Sequence, residues 1–178
     1  MSVFLVRSWL SGSVAMVWDM SAWQTGYEVV AASVKAGELQ QLRGEAANGA
    51  VLLEQAVRTL GSAQRVCDDD PRTAVVLAYD AARCAAEGVL AQQGLRATGH
   101  KGASTDGHHA IVSAIVRAQF GAHFAVMEQW RRRRNDLSYP SKLNVVDSAE
   151  AAEAIADAGV VVEAAGKLID SGALGMWR

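Results

Sequence analysis

Apolar residues recur along this chain at helical intervals. Ala56, Leu60, Ala63 and Cys67 step by four, three and four positions, and Leu53 and Val57 widen the stripe. The spacing predicts an amphipathic helix of about 20 residues from near Glu45. "CDDDP" ends it, and Asp70 followed by Pro71 predicts the N-cap and first position of the next helix. That helix should run to about Gln93, with Val75, Tyr79, Ala82, Ala86 and Val89 in register and Gly94 as its C-terminal stop. Apolar residues fill most other positions there too, so it should lie at the centre of the core. Asp106 or Thr105 can cap a third helix through Ala110, Ile111, Ala114, Ile115 and Ala118, broken at Gly121. A fourth should start near His123. Asp147, with Glu150 three residues on, resembles a capping box. From there Ala151, Ile155, Ala158, Val162, Ala165 and Ile169 step by four and three to an end at Gly172.

No segment alternates with the period of a strand. The expected fold is all-α, an up-and-down bundle of four main helices plus short N-terminal helical segments drawn from residues 27–43. Residues 1–35 read as an extension, disordered or loosely packed, and residues 36–178 as a single helical domain. Arg7 interrupts the apolar N-terminal run and no basic segment precedes it, so neither a signal peptide nor a membrane span is expected. Translation starting at Met16 or Met20 is a second reading of that extension.

Composition narrows the function classes. Of 178 residues, 51% are hydrophobic but only 6% aromatic, so small aliphatic side chains must supply most of the core. The formal net charge of -2 excludes a globally basic nucleic-acid binder, and any affinity for polyanions must come from local clustering. Two cysteines, Cys67 and Cys84, offer neither a metal-ligand spacing nor a disulfide framework. The cytoplasm is the default compartment. No motif asks for a metal or an organic cofactor.

"WRRRRNDLSYP", residues 130–140, is the stretch with chemistry. On a helical wheel Val126, Trp130 and Leu137 fall within about 40° of one another, and Arg134 lies about 40° from Trp130, towards Met127. Arg134 therefore shares the edge of the apolar stripe. An arginine there needs a carboxylate, a packed partner surface or a phosphate. Pro140 disfavours helix at Tyr139, so Arg134, Asn135 and Tyr139 can converge at the helix end. A guanidinium, an amide and a phenol suit contacts to phosphate and base. The competing reading pairs Arg134 with a buried acid, Asp80 in the first instance, and leaves the other arginines solvated.

The chain resembles the HEPN domain family (higher eukaryotes and prokaryotes nucleotide-binding) over roughly residues 45–171. "GAVLLEQAVRTLGSAQRV", "DDDPRTAVVLAYDAARCAAEGVLAQQGLR" and the arginine segment carry the likeness. The family motif is an arginine, a polar residue, three further residues and a histidine. Arg134 and Asn135 fit it, and Tyr139 stands where the histidine would. The resemblance implies a homodimer whose paired motifs form a groove for RNA or nucleotide, metal-free ribonuclease activity in many members, and in some a nucleotidyltransferase antitoxin as partner. Histidine can serve as acid and base near neutral pH, whereas a phenol with pKa about 10 is a poor base. Tyr139 therefore implies weakened or absent catalysis with polyanion binding retained.

On that reading Arg134, Asn135 and Tyr139 form the catalytic set. Arg133 is a second functional arginine, and Arg131 and Arg132 are supporting charge. Tyr79, Asp80 and Arg83 on one helix face either tie helices together or line the groove. His108 and His109, at a helix start, either cap and face solvent or enter the groove as a substitute base. The alternatives are an active ribonuclease toxin, and a non-catalytic helical module that holds a nucleotidyltransferase-type partner.

Overall fold

The computed structural model describes residue 23 and residues 25–98, 105–138 and 145–177, with the side chains of residues 105 and 106 outside that description. The elements run α1 (Tyr27–Lys35), β1 (Leu39–Gln41), α2 (Ala50–Val66), α3 (Pro71–Gln92), β2 (Leu95–Ala97), α4 (Thr105–Phe120), α5 (Met127–Ser138) and α6 (Ser148–Asp170), with short 3-10 turns at Gly44–Ala46 and Gly121–Phe124. The fold is an all-α bundle.

The helix signals act through identifiable atoms. Asp70 accepts a hydrogen bond from the Thr73 amide at 3.0 Å, with Pro71 in the first turn. Asp147 accepts from the Glu150 amide at 2.8 Å, which starts α6. Gly94, Gly121 and Gly172 each follow a helix end with φ of 75°, 63° and 64°, a backbone that side-chain-bearing residues rarely adopt.

α3 is the central helix. It packs against α2, α4, α5 and α6. Its buried positions are mostly alanine, so neighbouring axes come close. One close approach is at Gly49 and Gly88, where a Cβ added to Gly49 would sit 2.1 Å from the Gly88 carbonyl oxygen. Across the bundle, Trp130 Nε1 of α5 donates to Asp157 Oδ2 of α6 at 2.8 Å. Arg72, in the first turn of α3, donates to the Leu137 carbonyl and so ties down the last turn of α5.

The structure departs from the sequence expectation in four places. Among the described residues, five helices have 12 residues or more where four main helices were counted, although the sequence signals had already set the arginine segment and the final stripe on separate helices. α2 starts at Ala50; Glu45 belongs to the 3-10 turn before it. β1 and β2 pair antiparallel, Leu39 opposite Ala97. Three residues per strand are too few to print an alternation in the sequence, and residues 39–41 fall in the segment expected to be helical. Finally, His123 lies in the 3-10 turn, and α5 begins only at Met127.

Residues 27–35, assigned to the extension, form α1, which buries Val30 completely. Trp23 donates through Nε1 to the Gly175 carbonyl at 3.0 Å and meets the Trp177 ring at a tilt of 59°, 5.0 Å between centroids. Residues 1–22, with Met16 and Met20, lie outside the described residues. Among the described residues no single helix is long and apolar enough to cross a membrane.

Candidate functional site

Three helices bring the polar candidates together. α3 supplies Tyr79, Asp80, Arg83 and Glu87; Arg83 lies four residues from Tyr79 and Glu87 and three from Asp80, so each can meet it on one face. The N-terminal part of α4 adds His108 and His109, and α5 adds Arg131, Arg134 and Asn135. The His109 ring stands 5.8 Å from the Tyr79 ring and 5.9 Å from that of His108.

Tyr79 is buried, and its hydroxyl makes no hydrogen bond. Burial raises its pKa well above the ordinary phenol value, outweighing the guanidiniums of Arg83, Arg131 and Arg134. It is therefore a neutral donor. His109 is 6% exposed, with Nδ1 unpartnered. Burial first, then the charges of Arg83 and Arg134, push its pKa down to about 4, so the imidazole is neutral at pH 7.

Glu87 organises the cationic side. Arg83 Nη1 donates to Glu87 Oε1 at 2.7 Å, and His108 Nε2 donates to the same oxygen at 3.0 Å. Burial raises the Glu87 pKa, but the His108 hydrogen bond and the Arg83 guanidinium outweigh it, so the net shift is below the usual carboxylate range. Arg83 Nε lies 3.6 Å from Asp80 Oδ1, an ion-pair distance but too long for a hydrogen bond.

The arginine run divides by helical angle. Arg131 places Nε and Nη2 on the two Glu128 oxygens at 2.9 and 3.0 Å, and the exposed Arg132 reaches Glu128 at 2.8 Å. Those hydrogen bonds hold the Glu128 carboxyl down at about 2. Arg133 turns to α6, where Nε and Nη2 meet the two Glu150 oxygens at 2.5 and 3.0 Å and Nη2 also donates to the Val145 carbonyl. Arg133 thus braces α5 against the start of α6.

Arg134 has a different environment. It is half-buried at the edge of the stripe that buries Trp130 and Leu137, as the wheel requires. Its Nη1 donates to Asn135 Oδ1 at 3.4 Å, its Nε is buried without a partner, and it forms no ion pair among the described residues. The expected Asp80–Arg134 pair is absent, because Asp80 faces Arg83 one helical turn along α3. Tyr139 lies outside the described residues.

Four buried polar atoms, Tyr79 Oη, Arg83 Nε, His109 Nδ1 and Arg134 Nε, therefore make no hydrogen bond among the described residues, in one region. Three are donors, and the neutral imidazole can donate as well. Leaving such groups unmet costs about 1–3 kcal/mol each. One anionic oxygen cluster can meet several of them at once.

Sequence reasoning missed Glu87 and Glu128, and read Glu150 only as part of a helix start. The first two sit three or four residues from the arginines they hold, a spacing that was legible; Glu150 lies on another helix and was not. Among the described residues, no three His, Cys, Asp or Glu side chains are grouped to hold a metal ion. No family model, curated protein or solved structure matches this chain.

Proposed function

We propose that this chain is a HEPN-like protein that binds RNA or nucleotide phosphate at the Arg134 cluster, working as a homodimer with catalysis weakened or absent. Arg134 carries the reading: among the described residues it is a half-buried guanidinium with no carboxylate partner and a buried Nε without a hydrogen bond. A structural arginine in that position would have an acid beside it, as Arg133 has. Tyr79, Arg83 and His109 add donors, while the neighbouring Glu87 and Glu128 are already occupied by cations.

His109 does not by itself restore a ribonuclease. An imidazole with pKa about 4 is uncharged at pH 7 but a weak base, far from the near-neutral value that general base catalysis favours. It is better suited to donating a hydrogen bond to phosphate.

The test is binding and cleavage of tRNA and of an unstructured RNA by the purified protein in EDTA, with Arg134→Ala beside Arg132→Ala. We expect binding without cleavage, weakened about tenfold or more by Arg134→Ala and little by Arg132→Ala. Arg134-dependent cleavage would make the protein an active nuclease. Binding equal in all three proteins would remove RNA from this site and leave a partner-binding module.

A further inference from the structure

A concave site lies on the other side of Glu87 from Arg83 in the sequence of contacts, lined by Glu87 and His108. A cavity of about 360 Å3 opens between the 42–48 segment, α2, α3 and β2. That volume is at the small end of the range that holds small-molecule ligands and far above that of one water. Leu52, Leu90 and Leu95 give it apolar walls. Its charged groups are Glu45, Glu87 and Arg96, two carboxylates to one guanidinium. His108 also lines it, with Nε2 already donating to Glu87.

Glu87 forms part of this wall. Both of its hydrogen bonds, from Arg83 and His108, fall on Oε1. Oε2 accepts neither. An ionised carboxylate with a spare oxygen, set among leucines, is a receptor for a charged donor: the low-dielectric walls strengthen the pairing, and the apolar remainder of the ligand gains burial.

We infer that this cavity binds a small, largely apolar molecule bearing one cationic N–H group, an amine or amidine, which Glu87 accepts through Oε2. The inference does not depend on RNA binding at Arg134.

Benzamidine is the probe, with benzoate as its anionic counterpart, titrated into the full chain by calorimetry and by amide NMR at pH 7. The expected result is saturable binding of one benzamidine per chain, shifts at the Ala91 and Ala97 amides, and preference over benzoate by at least about tenfold. Val51, at the rim, is 62% exposed, so Val51→Trp should keep the fold while its indole obstructs the cavity and abolishes saturation. A folded Glu87→Gln protein should lose the preference for benzamidine over benzoate. Failure to saturate, binding undiminished in Val51→Trp, equal affinity for benzoate, or a preference retained in folded Glu87→Gln would each overturn the inference. Should Glu87→Gln fail to fold, the Val51→Trp and benzoate comparisons decide.

Discussion

Arg133 and Arg134 are sequence neighbours with opposite roles, because about 100° of helical rotation separates them. Arg133 is paired to Glu150, so Arg133→Ala should cost stability, by about 1 kcal/mol for a half-buried bidentate pair, and leave RNA affinity unchanged. Arg134 has no acid to lose, so Arg134→Ala should leave the urea midpoint unchanged or slightly raised while RNA affinity falls. Equal stability losses in the two variants would show that Arg134 is structural. His109 makes a second prediction. Its folded pKa of about 4 lies below the ordinary 6.5, so between these values the unfolded chain binds more protons. Stability should fall as pH drops from about 6.5 towards 4, by on the order of 2–3 kcal/mol, and His109→Gln should flatten that slope in denaturant melts. Saturating RNA should raise the His109 pKa in NMR titrations, since a nearby phosphate favours the imidazolium. At this scale the sequence was legible where an angle sufficed. The wheel placed Arg134 beside Trp130 and Leu137, but it could not assign Arg133 to Glu150, 17 residues away on another helix.

Elements were legible where local chemistry decides them. Asp70 with Pro71, Asp147 with Glu150, and the glycines after helix ends all mark boundaries through backbone atoms a few residues away. β1 and β2 were not legible, because pairing Leu39 with Ala97 depends on two segments separated by a pair of helices. Nor did the sequence announce the contact between Gly49 and Gly88, since each glycine has an ordinary neighbourhood in its own segment. Gly49 has a φ of -81°, so alanine is tolerated by the backbone itself. The obstacle is the Gly88 carbonyl, 2.1 Å from the added Cβ, and backbone cannot swing aside as a side chain can. Gly49→Ala should therefore force α2 off α3 and destabilise the fold by about 1–3 kcal/mol or more, read from urea unfolding. A change within about 0.5 kcal/mol would mean that the helices slide apart at little cost.

For the whole molecule, the all-α class follows from the periodicity, but the gathering of α3, α4 and α5 around Tyr79 and His109 is a tertiary fact that no local pattern encodes. It also joins two sites into one system. Glu87 Oε1 holds Arg83, which faces the Arg134 cluster, while Glu87 itself lines the cavity. A cation on Oε2 takes up part of the carboxylate charge that now holds Arg83, which leaves Arg83 more available to an anion beside Arg134. The two ligands should then bind with positive coupling, and linkage demands the same factor in both directions. Saturating benzamidine is expected to tighten RNA binding about fivefold, and saturating RNA to tighten benzamidine equally. Fluorescence anisotropy of labelled RNA gives the first factor, and calorimetry of benzamidine into the RNA complex gives the second. Since Arg83 carries the link, Arg83→Ala should abolish coupling while leaving the apolar walls of the cavity intact. Tightening that survives Arg83→Ala would trace the effect to charge acting through space, and the absence of tightening in the unsubstituted protein would make Glu87 a structural tie between α3 and α4 only.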